Sequence, residues 1–258
     1  MSNYATYPSL KNRVVYLTGG ADGIGGNLVR LLAAQGAKVA FIDINADLGK
    51  QNANWCKDQG YAHTPLFLEG DIRDIARLEE SIDQAADHFG PIQVLVNNAA
   101  NDDRHKFGEI TPEYWDERFA VNLRHQYFAI QKAVPYMRQC DGGSVINIGS
   151  SSWMMKEDFF PAYATAKSAI QGLTRTLART LGTDNIRVNS VVPGWVVTDR
   201  QLDKWWSEDG EKETLNNQCL KQRVYPEQFN QMVLFLAADD GCACTAQSYI
   251  VDAGRGGL

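Results

Sequence analysis

The sequence predicts an α/β protein built on a parallel sheet covered by helices on both faces. Three observations predict it: strand-like and helix-like segments alternate, most strand segments are apolar throughout, and a glycine cluster sits at the first strand-to-helix turn. The first strand is Arg13–Leu17, followed by a helix with Ile24, Leu28, Leu31 and Leu32 on one stripe. Lys38–Asp43 is a second strand, a polar helix runs to about Gln59, and a short strand lies near Leu66–Leu68. Ile75–Phe89 reads as a helix, Ile92–Val96 as a buried strand, and Pro112–Met137 as one long helix or two joined ones. The strand Ser144–Gly149, the helix Pro161–Leu181 and the strand Ile186–Val192 follow. Residues 193–224 break the alternation, being long, polar and marked by Trp195, Trp205 and Trp206, so they read as a covering loop or helix elaboration. Pro226–Ala238 is a helix and Tyr249–Val251 the last strand, and with no linker-like stretch or repeat, residues 1–258 read as one domain.

Composition excludes several function classes. The chain has 258 residues, 44% of them hydrophobic, which fits a globular protein with a sizeable core. Met1–Leu10 lacks the basic start and apolar centre of a signal peptide, and no run is long enough for a membrane span. We therefore expect a cytoplasmic protein without a membrane partner. A net charge of −6 with no basic stripe argues against nucleic acid. Five cysteines, odd in number and scattered, suggest reduced thiols, and the lone Cys242-x-Cys244 pair has no companion ligands, so no metal site is expected.

The first turn, Thr18–Gly25, spaces Gly19, Gly23 and Gly25 as G-x-x-x-G-x-G. Small residues there let backbone amides and a helix N-terminus approach a pyrophosphate. Asp43 ends the second strand, where a carboxylate can accept both ribose hydroxyls and repel a 2′-phosphate. Ile44 and Asn45 follow it rather than Lys or Arg, so NAD is preferred over NADP. Asp71 can meet an adenine amine, with Ile72 beside the ring, or cap the next helix. Asn98 can tie neighbouring strands, and Ala99 allows a ribose to come close.

The chemistry is expected from Ser144–Lys167. Tyr163 and Lys167, four residues apart, share a helix face, and an ammonium there favours a phenolate. Ser150, thirteen positions before Tyr163, follows a strand, where its hydroxyl can orient a substrate oxygen. Asn122, a polar amide in an apolar helical stretch, needs a partner and can hold a water beside Lys167.

Taken in order, Thr18–Gly25, Asp71, Asn97–Ala99, Asn122, Ser150, Tyr163, Lys167 and Pro193–Thr198 resemble the motifs of the short-chain dehydrogenase/reductase family. The resemblance spans nearly the whole chain. It implies a Rossmann-type doubly wound sheet of about seven strands, usually in tetramers, with Asn-Ser-Tyr-Lys catalysis on a nicotinamide cofactor. Asp22, Ile24, Ala100, Pro193, Gly194, Val196 and Thr198 would complete the cofactor site with the residues above. Two departures are Ala100 in place of a usual Gly, and Asp252-Ala253-Gly254 in place of Asp-Gly-Gly, both bearing on local backbone geometry. Tyr7–Lys11, Asn101–Lys106, Tyr114–Arg118, Gln218–Lys221 and the ending around Val251–Gly254 are similar to the bacterial aldose 1-dehydrogenases of this family, which act on pentoses or galactose-like sugars.

The resemblance implies NAD-dependent oxidation of the anomeric hydroxyl of an aldose to a lactone. Tyr163 would be the general base, Ser150 would orient the oxygen, Lys167 would hold the nicotinamide ribose and lower the Tyr163 pKa, and Asn122 would support a proton path. Candidate sugar contacts are Asn101, Asp103, Arg104, Ser150, Ser152, Trp153, Glu157 and Trp195. The charged loop can equally be solvated, and the tryptophans can pack a lid or an oligomer contact. Alternatives are a dehydrogenase of the same fold acting on a cyclic polyol, steroid or keto acid, and a non-catalytic dinucleotide-binding protein.

Overall fold

The computed structural model describes residues 4–256. Its centre is a seven-stranded parallel sheet in the order β3-β2-β1-β4-β5-β6-β7. The strands are β1 Val14–Thr18, β2 Lys38–Asp43, β3 Leu66–Glu69, β4 Val94–Asn97, β5 Gly143–Ile148, β6 Ile186–Pro193 and β7 Ser248–Val251. Strand order reverses between β1 and β4. That reversal opens a crevice at the carboxyl ends of the strands, where open α/β sheets bind ligands.

The helices are α1 Gly23–Ala34, α2 Ala46–Asp58, α3 Ile75–Phe89, α4 Pro112–Phe119, α5 His125–Arg138, α6 Pro161–Leu181, α7 Asp199–Trp205, α8 Glu208–Asn217 and α9 Pro226–Ala237. Alternation along β1 divides the core. Val15 and Leu17 pack with Leu28 and Leu32 of α1 and Phe229 and Val233 of α9, whereas Val14 and Tyr16 pack with Leu78 and Ile82 of α3 and Ile130 and Val134 of α5. Parallel strands buried on both faces have no solvent side, which explains their uninterrupted apolar runs.

Three features place functional groups. Register aligns the carboxyl ends of the middle strands, with Thr18 opposite Asn97 and Asn97 opposite Asn147. The predicted long helix is two helices joined by a π-helical turn, Ala120–Arg124, which carries Asn122. Residues 193–224, which gave no helical stripe, contain α7 and α8. Both start from ordinary N-caps, Thr198 accepting from Gln201 N–H and Ser207 from Gly210 N–H.

One predicted departure has a structural consequence. Ala253 sits at φ 57°, a left-handed conformation that suits glycine and costs an alanine about 1 kcal/mol.

Candidate active site

A cavity of about 810 Å³ runs along the carboxyl edge of the sheet. At one end the Thr18–Gly25 turn forms a backbone cradle. A Cβ on Gly19 would lie 2.8 Å from the Ala99 Cα, and one on Gly25 would lie 1.8 Å from the Gly19 carbonyl oxygen, so neither position admits a side chain. Asp22 precedes α1 without capping it by its side chain, leaving the first-turn amides of Gly23, Ile24 and Gly25 at the cavity wall. Asn98 ties the cradle to β4 by donating to the carbonyls of Thr18 and Gly19 at 3.1 and 2.7 Å.

Asp43 and Ile44 line the same end. The Asp43 carboxylate accepts from the backbone N–H of Ala21 and of Asn45, each at 2.9 Å, which fixes it at the rim with acceptor capacity left over. Asp71 and Ile72 also face the cavity. Asp71 is not a helix cap: Asp74 caps α3, while the Asp71 carboxylate is gripped by Arg73, which continues to Glu117 at 2.8 Å. Hydrogen bonds from Arg73 hold the Asp71 carboxyl below its usual range against the opposing effect of burial.

At the other end Ser150 follows β5 and lines the cavity together with Tyr163 of α6. Lys167, one turn further along α6, is buried with its Nζ 5.8 Å from the centre of the Tyr163 ring, and it donates to the Ile148 carbonyl at 2.9 Å. Burial pushes the Tyr163 hydroxyl well above the range of a free phenol and the charge of Asp102 adds to that, with the nearby Ser150 hydroxyl opposing it. Burial likewise brings Lys167 down to about 7, against a smaller opposite pull from Asp102. Both side chains are driven toward their neutral forms.

Asn122 is buried but does not line the cavity. Its amide grips the neighbouring loop: Oδ1 accepts from Asn101 N–H at 2.9 Å, and Nδ2 donates to the carbonyls of Asn101 and Arg118 at 3.1 and 2.9 Å. Its side chain therefore holds the loop in place. His105, which sequence reasoning left within a charged loop, is buried at the start of α6. Its Nε2 accepts from Ala162 N–H at 3.2 Å, next to Tyr163, where Phe160 offers no side-chain cap.

The candidate substrate residues divide. Asn101, Arg104, Ser150, Ser152, Glu157 and Trp195 line the cavity, whereas Asp103 and Trp153 do not. Asp103 is instead paired with Arg200 at 3.0 Å and with Arg118 at 3.5 Å. The Arg104 guanidinium is sandwiched between the rings of Phe159 and Trp205, 4.3 and 4.5 Å from their centres. Glu157 pairs with Arg255 at 3.1 Å, both largely buried, bringing the stretch after β7 to the cavity. Of the predicted cofactor residues, Ala99, Ala100, Pro193, Gly194, Val196 and Thr198 also line it, and Lys167 lies behind the wall. Sequence reasoning missed Asp102, Arg200, Gln201, Phe159 and Arg255. Arg200 gave no readable signal, although the Thr198-Asp199 pair could have announced the helix that carries it.

A family model described as enoyl-(acyl carrier protein) reductase matches residues 19–255. Among relatives, a D-xylose 1-dehydrogenase of Caulobacter vibrioides is 46% identical over 250 residues, spanning 97% of this chain and 98% of the relative. The chain belongs to the short-chain dehydrogenase/reductase family. A probable galactose dehydrogenase of Rhizobium meliloti is 42% identical over 248 residues, covering 96% of each. Among solved structures, a short-chain dehydrogenase/reductase from Serratia marcescens superposes with a TM-score of 0.89 at 32% identity, covering 96% of this chain and 99% of that one.

As a short-chain dehydrogenase/reductase, the chain is an oxidoreductase of a family that uses nicotinamide cofactors. The residues present fit such a group: the cradle that a Cβ on Gly19 or Gly25 would obstruct suits a pyrophosphate, and Asp43 stands at the rim where a ribose would meet it. No helix among the described residues is long and apolar enough to cross a membrane.

Proposed function

We propose that this protein is an NAD-dependent aldose 1-dehydrogenase, oxidising the anomeric hydroxyl of a pentose or galactose-like sugar to the aldonolactone. The observation that carries the reading is the meeting of Ser150, Tyr163 and Lys167 at one end of the cavity in a chain 46% identical, over nearly its full length, to a D-xylose 1-dehydrogenase. The cradle around Gly19, Gly23 and Gly25 would hold the pyrophosphate and Asp43 the adenosine ribose. NAD, when bound, supplies the hydride acceptor and a cationic ring. Absence of a basic residue at positions 44 and 45 favours NAD over NADP.

In this mechanism the Ser150 hydroxyl donates to the anomeric oxygen and fixes its direction. Tyr163 takes the proton from that oxygen as general base. Because burial holds the Tyr163 proton tightly, a nearby positive charge is needed to release it, and Lys167 is the chain's own source. Lys167 reaches Ile148 through one proton and keeps two for other partners. Asn122 keeps the Asn101–Asp103 loop in place beside the reacting groups. We also place the working assembly as a homotetramer of single-domain chains, by the family resemblance, in the cytoplasm.

The test is turnover of an aldose panel with NAD and NADP, following absorbance of the reduced cofactor, on wild type and Tyr163→Phe. The expected result is NAD-linked lactone formation from D-xylose or D-galactose, with at least a thousandfold loss in the variant. Turnover of hydroxysteroids or cyclic polyols but no sugar would refute the substrate class, and full activity in Tyr163→Phe would refute the base.

A further inference from the structure

Two neighbours hold the Asp102 carboxylate, both on α7. Arg200 donates to Oδ1 through Nε at 3.3 Å and Nη2 at 3.2 Å, and Gln201 donates to Oδ2 through Nε2 at 2.6 Å. The backbone next to it is fixed from the other side, where Asn101 exchanges hydrogen bonds with Asn122. Asp102 thus stands between the π-helical turn and the helix covering the cavity, with its side chain one-quarter exposed and lining that cavity. A carboxylate offers roughly four acceptor sites; three donors occupy two on Oδ1 and one on Oδ2, so Oδ2 retains one.

The position is chemically costly. Asp102 is the carboxylate whose charge acts on both Tyr163 and Lys167, and it opposes ionisation of the phenol. A catalytic site gains nothing for proton abstraction from such a group, and an amide would hold Gln201 and the loop as well. A carboxylate lining the cavity with an acceptor left over suits recognition of hydroxyl donors instead, since ionised acceptors form the stronger hydrogen bonds to substrate hydroxyls. Arg200 offsets part of the charge while leaving the Oδ2 acceptor free.

We propose that Asp102 is the residue that recognises the sugar, its carboxylate accepting the hydroxyl on the carbon next to the one oxidised, with Arg200 and Gln201 aiming it from α7. This rests on the sugar reading above. It also makes α7 part of the substrate site: the lid is held by the same carboxylate that binds the hydroxyl.

The test compares wild type, Asp102→Asn and Asp102→Ala with D-galactose, 2-deoxy-D-galactose, D-xylose and 2-deoxy-D-xylose, with cofactor affinity measured by fluorescence as a check that each variant folds. In wild type, the 2-deoxy sugars should be poorer substrates by tenfold or more in kcat/KM. Asp102→Asn should lose ten- to hundredfold on the parent sugars and less than threefold on the 2-deoxy sugars, mainly through KM. Its pH profile of kcat should move to lower pH, because a charge holding the Tyr163 proton is gone. Equal losses on parent and deoxy sugars would show Asp102 to be a latch for α7 alone and overturn the proposal, as would unchanged kinetics in both variants. Failure of wild type to oxidise any of the parent sugars would instead overturn the sugar reading, and this proposal with it.

Discussion

Acidification should destabilise this protein through one buried histidine, and the size of the effect follows from its surroundings. His125 opens α5, is fully buried, and has no hydrogen-bond partner of good geometry at either ring nitrogen, although the carbonyls of Ala120 and Val121 lie near the ring. Burial first, and then the charge of Lys167, bring its pKa down to about 3. The unfolded chain's histidine titrates near 6.5, so below that pH the unfolded state binds a proton that the folded state refuses. The histidine's share of the stability is therefore complete above about 6.5 and falls as pH drops toward 3. At pH 5 the gap is about 1.5 pH units, which at roughly 1.4 kcal/mol per unit costs about 2 kcal/mol relative to pH 8. Urea unfolding of wild type and His125→Leu at pH 8, 7, 6 and 5 measures it. The stability of wild type minus that of the variant should fall by about 2 kcal/mol between pH 8 and pH 5. A difference that stays constant across that range would refute the assignment of an uncharged, buried imidazole.

Three further outcomes are expected. Replacing Asp43 by Ala removes the carboxylate that opposes a 2′-phosphate, so the ratio of kcat/KM with NADP to that with NAD should rise at least tenfold in parallel assays; an unchanged ratio would place cofactor choice elsewhere. His105→Ala removes the acceptor for Ala162 N–H at the start of α6, and should cost about 1 kcal/mol in urea unfolding and lower kcat more than it raises KM. Ala253→Gly relieves the left-handed backbone at φ 57° and should raise stability by about 1 kcal/mol without altering kinetics, which denaturation and steady-state assays check together.

The fold was legible because its signals are local and repeated. Apolar strands buried on both faces, separated by helices with one apolar stripe, leave a parallel sheet as the consistent arrangement, and the seven strands in the structure match that pattern. Helices α7 and α8 were not legible, since they carry few apolar residues; their only announcements are the caps Thr198 and Ser207. The glycine turn, Asp43, Ser150, Tyr163 and Lys167 were legible in the site because each sits at a fixed offset from a strand end or along one helix.

Sequence by itself therefore determined the layered fold and which residues of the glycine turn, β5 and α6 stand along the sheet's carboxyl edge, as these follow from spacing along single elements. Tertiary structure decided the electrostatics and the substrate wall. Whether Tyr163 holds or releases its proton depends on burial and on Asp102, sixty-one positions away in the chain (163 − 102), and spacing does not encode either. Asp102 meets Arg200 and Gln201 only because the loop after β4 and the helix after β6 fold over the same sheet edge. Charges brought together by chain crossings act through distance and dielectric, and both are properties of the folded molecule.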